Sequence, residues 1–160
     1  MMSYPFTSIE ALAEMTGPLF GLDLGTKTIG VAVCASAWQV ASPLHVIRRT
    51  KFTADAGELI ALASEYGIVA HVIGLPFNMD GSSGPRVQST RDFARNLAKR
   101  DARPIVGWDE RWSTVAAKRS MIAADASRAR RRQAIDKVAA AFILQGAIDR
   151  LRRLREVDEG

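Results

Sequence analysis

Residues 20–33, FGLDLGTKTIGVAV, constrain the fold of this chain more than any other segment. Two runs of apolar and β-branched residues flank the polar connection Gly-Thr-Lys-Thr, a pattern that predicts two strands, Leu19–Leu24 and Ile29–Ala35, joined by a tight turn. The first run contains a carboxylate, Asp23, and an acid in a buried strand is costly unless positive charge meets it. The segment therefore predicts a β-hairpin whose acid needs a cationic partner.

The rest of the chain alternates short apolar segments with longer amphipathic ones, which predicts an α/β fold. A three-strand meander followed by alternating helices and strands implies a mixed sheet with helices on its faces. Ser113 or Thr114 would cap a further helix after the last strand. The other predicted strands are Pro43–Ile47, Ile68–Leu75 and Pro104–Glu110, and the main predicted helices are Thr53–Tyr66, Val87–Arg103 and Arg128–Arg155.

The length of 160 residues suits one domain with a sizeable core. We expect residues 1–17 to be an N-terminal extension with a short helix around Ile9–Met15, residues 18–155 to form a single domain, and residues 156–160 to be a short tail. The start of the chain does not resemble a signal peptide, and no apolar run is long enough to cross a bilayer, so we expect a cytoplasmic protein.

The few cysteines and histidines limit the possible chemistry. Cys34 is the single cysteine, which excludes a disulfide framework and a cysteine-based zinc site. His45 and His71 are the two histidines, and because they are far apart in sequence we expect both to be structural or surface residues.

Positive charge is concentrated near the C-terminus. The net charge of the chain is +5, and residues 127–155 alone contain nine Arg and Lys residues and two Asp residues, a net charge of +7. This asymmetry indicates a polyanionic partner, nucleic acid before membrane. A long solvated helix would explain the charge equally well.

Three carboxylates stand at positions where inward-facing acids are unusual. Asp23 shares a strand face with Gly21, Glu110 ends the strand PIVGWDE, and Asp136 heads an apolar helical stripe. Asp109, next to Glu110, faces the opposite side by alternation. Acids brought together require positive charge, which either Arg and Lys side chains or a hard divalent metal such as Mg²⁺ or Mn²⁺ would supply. The spacing alone does not choose between these sources.

Four motifs in order resemble the RuvX/YqgF family of ribonuclease H-like proteins. They are GLDLGTKTIGVAV, VIGLPFNMDGS, DERWSTVAAK and IDKVAAAFILQ, and the resemblance runs from about Leu19 to Leu151. The family is described as Holliday junction resolvases and as nucleases that mature the 5′ end of pre-16S rRNA. The resemblance implies a ribonuclease H-like mixed sheet with helices on both faces and metal-dependent hydrolysis of phosphodiester bonds.

The resemblance also implies site residues. Asp23, Glu110 and Asp136 match the family's catalytic, metal-binding set, which would hold one or two Mg²⁺ or Mn²⁺ ions. Polar and basic residues near these acids are expected to contact nucleic acid, with pre-rRNA favoured over branched DNA. Arg111 is equally suited to bind phosphate or to brace a carboxylate. The expected nucleic-acid-binding residues are Lys27, Asn78, Ser82, Ser83, Arg86, Arg111, Arg130, Arg131 and Arg132.

The chain departs from the family pattern at two places. Trp112 stands where a leucine is more usual, which indicates a packing change. Ala139 and Ala140 stand where RuvC-type resolvases carry a second acid, which favours simple nuclease activity over junction resolution.

Other functions stay open on the sequence. The alternatives to a processing nuclease are a Holliday junction resolvase and a non-catalytic nucleic-acid-binding protein with the same fold. DLGTKT also resembles the first phosphate-binding hairpin of the actin and hexokinase ATPases, but those proteins close two such domains around a nucleotide. The sequence does not distinguish RNA from DNA, exonuclease from endonuclease, or a monomer from a homodimer.

Overall fold

A central mixed sheet organises the molecule. The computed structural model describes residues 4–112 and 128–159, with the side chains of residues 4–112 and 137–157. The described strands are β1 (Leu19–Leu24), β2 (Thr28–Cys34), β3 (Ser42–Arg48), β4 (Ala70–Leu75) and β5 (Ile105–Asp109). They form one sheet in the order β3-β2-β1-β4-β5. The pairs β1–β2 and β2–β3 are antiparallel, whereas β1–β4 and β4–β5 are parallel, which confirms the predicted mixed sheet.

Helices cover both faces of this sheet. The described helices are α1 (Ile9–Ala13), α2 (Phe52–Glu65), α3 (Pro85–Ala98) and α4 (Arg128–Glu159), and a single 3₁₀ turn spans Glu110–Trp112. The core on one face joins α1 and α4 to the sheet, and the core on the other joins α2 and α3 to it. None of the described helices combines the length and the apolar character that a membrane span requires.

Alternation along β1 divides its side chains between the two cores, as the sequence predicts. Leu19 packs with α4, and Phe20, Leu22 and Leu24 pack with α2 and α3. Because β1 is flanked on both edges and covered on both faces, all six of its residues are buried. This burial places any polar group on β1 in a region that water does not reach freely.

Helix α4 lies unusually close to β1 because position 21 has no side chain. A Cβ atom at Gly21 would lie 2.6 Å from Leu144 Cβ and 2.7 Å from the carbonyl oxygen of Ala140. Ala139 and Ala141 beside this contact are also buried. The small residues on both elements therefore let the helix backbone approach the sheet, as their sequence pattern predicts.

The predicted bounds of α3 are wrong at its C-terminal end. The helix ends at Ala98 rather than Arg103, because Asp101 turns inward and Arg103 precedes Pro104, a position that disfavours helical backbone. At the other end it begins two residues early, at Pro85, since proline suits the first turn of a helix.

Smaller differences affect the other elements. Strand β4 begins at Ala70 rather than Ile68, because the Ile68 N–H donates to Ala63 in the preceding chain segment. Helix α4 continues to Glu159, four residues past the predicted end. The predicted cap at Ser113 or Thr114 lies outside the described residues. The predicted domain boundaries stay a prediction.

Cys34 is buried, and the two histidines divide between the surface and structural positions that the sequence predicts for them. Cys34 is a free, buried thiol. Burial raises the pKa of this thiol to about 11, although a backbone hydrogen bond at Leu19 opposes the shift. His45 lies on the surface, 3.9 Å from Glu58, and His71 is fully buried.

A buried polar cluster ties β4 to the segment that precedes β5. His71 Nε2 lies 3.0 Å from Asp101 Oδ2, and the backbone N–H and Nη1 of Arg103 both donate to Asp101 Oδ1 at 3.0 Å. Burial alone would raise the pKa of Asp101, but the hydrogen bonds from His71 and Arg103 lower it to about 2. The ionised carboxylate therefore stabilises the fold at neutral pH.

We expect Asp101→Asn to lower the free energy of unfolding by about 2 kcal/mol at pH 7. Because the folded pKa of about 2 lies below the usual value, this contribution is complete above pH 5 and decreases as the pH falls towards 2. About half of the difference between variant and wild type should remain at pH 3, measured by urea unfolding. Asp92→Asn, at an exposed ion pair with Arg95, is the control and should change stability by less than about 1 kcal/mol. A difference for Asp101→Asn that is independent of pH would contradict this account.

Candidate active site

Asp23 lies near the carboxyl end of β1 on the face that packs against α4. It follows Gly21 by two residues in a continuous strand, so the two share a face, and Gly21 contacts α4. Asp23 is 4% exposed. The structure thus confirms that the acid projects from the sheet beside a residue without a side chain.

Glu110 reaches the same face from β5. It begins the 3₁₀ turn directly after the strand, and its Oε1 lies 2.8 Å from the point that a Cβ atom at Gly74 would occupy. Gly74 pairs with Trp108 on β5, and continuing the register of Leu22 with Ile73 sets Gly74 beside Asp23 on β1. The Glu110 carboxylate therefore lies over the strand that separates it from Asp23, and both acids belong to the carboxyl edge of the parallel strands.

The third predicted acid, Asp136, belongs to α4, one helical turn before Ala140. Its side chain is outside the described part of the structure. Among the side chains that are described, no three His, Cys, Asp or Glu residues form a group that could hold a metal ion. The described chain therefore brings two of the three predicted acids to one edge of one sheet face.

The donor set at this edge fits a hard divalent cation. Carboxylate oxygens are the ligands that Mg²⁺ and Mn²⁺ prefer, and Asp23 and Glu110 both supply them. The missing side chain at Gly74 leaves space that the Glu110 carboxylate and the Ile143 side chain share. Sequence reasoning did not single out Gly74, although a glycine within the β-branched run IVAHVIGL is itself a sign of close approach.

Arg111 braces a carboxylate on the other face. Asp109 is 3% exposed, and Arg111 Nε donates to its Oδ1 and Oδ2 at 3.0 and 3.1 Å while Nη2 also donates to Oδ2. The hydrogen bonds and charge of Asp109 raise the pKa of the Arg111 guanidinium. Of the two roles predicted for Arg111, the bracing role is confirmed, and contact with nucleic acid stays a prediction.

The loop between β4 and α3 is held by its own polar side chains. Asn78 Nδ2 donates to Ser82 Oγ at 2.9 Å, and Ser82 Oγ donates to Asp80 Oδ1 at 2.6 Å. The hydroxyl and backbone N–H of Ser82 lower the pKa of the exposed Asp80 carboxyl. Asn78 and Ser82, both predicted to contact nucleic acid, therefore fix the shape of the loop. Ser83, the third predicted residue of this loop, is exposed.

The predicted basic residues lie at several places around the same sheet edge. Lys27 is exposed in the β1–β2 turn, directly beyond the end of β1 that carries Asp23. Arg86 is exposed in the first turn of α3. Arg130, Arg131 and Arg132 belong to the first turns of α4, and their side chains are outside the described part. The structure therefore brings Lys27 near the end of Asp23's strand and leaves the contacts of the arginine run unassigned.

One arginine of the basic C-terminal segment has a structural role. The Arg155 guanidinium lies 3.6 Å above the Trp38 ring, and Nε donates to the carbonyl oxygen of Ala13 at 3.2 Å. These contacts hold the end of α1 and the β2–β3 connection against α4. The charge of residues 127–155 is thus not all available to a polyanion.

A cavity of about 680 Å³ on the α3 face combines aromatic rings with arginines. Tyr4 is 67% exposed and Trp112 is 59% exposed at its rim. Arg91 and Arg111 lie 5.7 and 5.5 Å from the centre of the Phe77 ring. The sequence showed no stacking platform, because these residues come together only through the fold.

Comparison with protein families identifies one matching model. The model described as "RuvX: Holliday junction resolvase" matches residues 17–150. A protein of Paracoccus denitrificans named "Putative pre-16S rRNA nuclease" is 59% identical over 150 residues, which cover 92% of this chain and 95% of the relative. A protein of Cereibacter sphaeroides with the same name is 62% identical over 144 residues, covering 89% of this chain and 90% of the relative.

A solved structure shares the fold. RuvC of T. thermophilus, in complex with a Holliday junction substrate, aligns with a TM-score of 0.55 at 14% identity, covering 85% of this chain and 96% of RuvC. The likeness confirms the predicted ribonuclease H-like fold.

We expect Gly74→Ala to weaken Mn²⁺ binding by at least about tenfold. The added methyl group would lie 2.5 Å from Ile143 Cδ1 and 2.8 Å from Glu110 Oε1, so it displaces the Glu110 carboxylate and the Ile143 side chain beside it. Isothermal titration with Mn²⁺ measures the effect, and thermal unfolding verifies that the variant is folded. Gly57→Ala is the matched control, since a Cβ atom there has no heavy atom within 4 Å. Equal Mn²⁺ affinity in the two folded variants would show that the position of Glu110 is irrelevant to metal binding.

Proposed function

Because the chain belongs to the RuvX family, we propose that it is a metal-dependent nuclease that hydrolyses phosphodiester bonds and processes the 5′ end of pre-16S rRNA. The observation that carries the proposal is the placement of Asp23 and Glu110 on one sheet face at the carboxyl edge of the parallel strands. Two acids at such an edge, next to exposed basic residues, suit a site that handles phosphate esters.

The names of the relatives support the choice of substrate. The two relatives named for pre-16S rRNA are 59% and 62% identical to this chain, and it covers 95% and 90% of their lengths. Pre-16S rRNA is therefore the favoured substrate and RNA the favoured nucleic acid. The proposed compartment is the cytoplasm, where bacterial rRNA precursors are made and processed.

Asp23, Glu110 and Asp136 would hold Mg²⁺ or Mn²⁺ in the proposed site. When bound, the metal supplies Lewis acidity, which activates a water molecule and offsets negative charge on the leaving oxygen. The buried environment of Asp23 strengthens its electrostatic interactions, because bulk water does not screen them. None of the three acids needs to form a covalent intermediate.

The chain's own basic residues would bind and orient the substrate. Lys27, in the turn that follows Asp23, would contact a phosphate near the cleaved bond. Arg86 and Ser83 would hold the backbone beside the loop, whose shape Asn78 and Ser82 maintain. Arg130, Arg131 and Arg132 would steer the polyanion towards the site.

The alternative proposal is cleavage of a Holliday junction. The printed description of the family supports it, and the RuvC structure supports the shared fold. Against it, Ala139 and Ala140 are buried and apolar where RuvC-type resolvases carry a second acid. A resolvase would also need two active sites arranged by two-fold symmetry. Paired nicks in a four-way DNA junction, without cutting of the rRNA precursor, would favour this alternative.

We expect Asp23→Asn to reduce Mg²⁺-dependent cleavage of a 5′-extended pre-16S rRNA fragment by at least about 100-fold, because it removes a charged ligand of the metal. Binding of the RNA should change little, since Asp23 repels phosphate rather than attracting it. Gel analysis of the cleavage products and fluorescence anisotropy without Mg²⁺ measure the two quantities.

Asp149→Asn is the matched control for this variant. It makes the same chemical change at an acid whose side chain is 47% exposed and paired with Arg152. Wild-type cleavage by the Asp23 variant would exclude the proposed site. Loss of cleavage in both variants would indicate a general effect of charge rather than loss of a ligand.

Neutralising Arg130, Arg131 and Arg132 to Gln should weaken RNA binding and reduce its dependence on salt concentration. Each lost phosphate contact lowers the slope of log affinity against log salt concentration by about one. Anisotropy titrations at several NaCl concentrations measure the slope. Parallel slopes for variant and wild type would mean that these arginines do not contact phosphate.

A further inference from the structure

A cleft of about 330 Å³ opens at the carboxyl end of β1, on the face opposite the two acids. Leu24 belongs to the core that α2 and α3 form on this face, and Gly25 and Thr26 continue the chain into the β1–β2 turn. The cleft therefore shares its sheet edge with Asp23, which precedes Leu24 directly. Its described lining residues are Leu24, Gly25, Thr26, Arg49, Thr50, Arg86, Ser89 and Thr90.

Two arginines make this cleft positive. Arg49 and Arg86 approach it from the end of β3 and from the start of α3, and none of its described lining residues is acidic. Guanidinium groups are weakly hydrated and present paired donors that match phosphate oxygens. The hydroxyl groups of Thr26 and Ser89 add neutral donors. The lining thus has the chemistry of an oxyanion site.

Arg49 is held in place before any ligand arrives. Its Nη1 donates to the Gly25 carbonyl oxygen at 2.6 Å, and its guanidinium lies 5.8 Å from the centre of the Phe93 ring. The Arg49 backbone N–H also donates to the Lys27 carbonyl oxygen at 2.8 Å. Because a guanidinium has five N–H donors, the bond to Gly25 leaves others for a ligand. The arginine is preorganised against the turn that follows Asp23.

The surroundings of Arg86 also favour an anion. It lies in the first turn of α3, where the helix dipole contributes partial positive charge, and Thr90 Oγ1 donates to its carbonyl oxygen at 2.9 Å. The acid behind the cleft is Asp55, whose Oδ1 accepts from the backbone N–H and Oγ1 of Thr50 at 3.0 and 3.3 Å. The Asp55 carboxylate is buried and contacts the lining through Thr50, whose two donors offset its charge.

We infer that this cleft binds a backbone phosphate of the substrate strand, distinct from the phosphate that is cut. The inference rests on the proposed function, because it assumes a nucleic-acid strand at the carboxyl edge of the sheet. A strand that crosses this edge would meet the acids on one face and the two arginines on the other. Contacts to phosphate carry no base information, so the cleft fixes the position of the strand whatever its sequence.

A second cavity extends the cleft along α3. It shares Arg49 and Ser89 with the first and continues to Gln88 and Asn96. The strand would therefore leave the phosphate site along the surface of α3. Contacts along this path would hold the strand at a distance from the metal-binding acids.

The test measures RNA binding without divalent metal, so it does not depend on cleavage. We expect Arg86→Gln to weaken binding of the 5′-extended pre-16S rRNA fragment by about tenfold, the value of one charged hydrogen-bonded contact. Arg49→Lys, which keeps the charge and loses the paired donors, should also weaken binding. Arg153→Gln, at an exposed arginine near the C-terminal end of α4, is the matched control and should bind like wild type. Thermal unfolding verifies that each variant is folded.

A neutral methylphosphonate linkage, placed in turn at each position of the single-stranded extension, locates the contact. One linkage should weaken binding to wild type, and the same linkage should weaken binding to Arg86→Gln less, since only Arg49 is then left to contact that phosphate. Penalties that add at every linkage, equal binding by Arg86→Gln and Arg153→Gln, or no RNA binding by wild type would overturn the inference. Binding in the expected pattern without cleavage in Mg²⁺ or Mn²⁺ would refute the nuclease and retain the phosphate cleft.

Discussion

The Glu110 carboxylate and Ile143 Cδ1 share the space that a side chain at position 74 would fill, and the candidate site depends on this close packing. Gly74 lies on β4, between β1 and β5, so its missing side chain lets the acid that follows β5 extend towards the acid on β1. Gly21 allows a close approach of α4 to β1, because a Cβ atom at position 21 would collide with the helix backbone. Gly74 thus makes room for the Glu110 carboxylate, and Gly21 sets the distance between β1 and the helix that carries Asp136.

Charge is divided between the two faces of one sheet edge. Asp23 and Glu110 lie on the α4 face, whereas Arg49 and Arg86 line the cleft on the α3 face. An arrangement of this kind separates two tasks that oppose each other electrostatically. Acids that gather a metal repel the phosphate backbone, and arginines remote from them hold the strand without neutralising the acids. The braced pair of Asp109 and Arg111 contributes no strong net charge to either task.

The features of the fold that depend on local residue patterns were predictable from the sequence. The alternation of β1, the sheet edge at Asp23 and the small residues of α4 follow from spacing along one or two elements. The role of Gly74 did not, because it is defined by a side chain from a different strand. Helix α3 ends before its predicted bound because Asp101 joins a buried cluster. Its partners there are Arg103 and His71, which lies thirty residues away in sequence. Arg49 likewise acquires its place only when the β1–β2 turn is beside it.

The central claim is that the acids of the α4 face hold a divalent metal. Crystals soaked in Mn²⁺ and measured at an X-ray energy with strong manganese anomalous scattering would test it most directly. We expect an anomalous peak bound by carboxylate oxygens of both Asp23 and Glu110. A peak elsewhere, or no peak in crystals whose site is open to solvent, would contradict it.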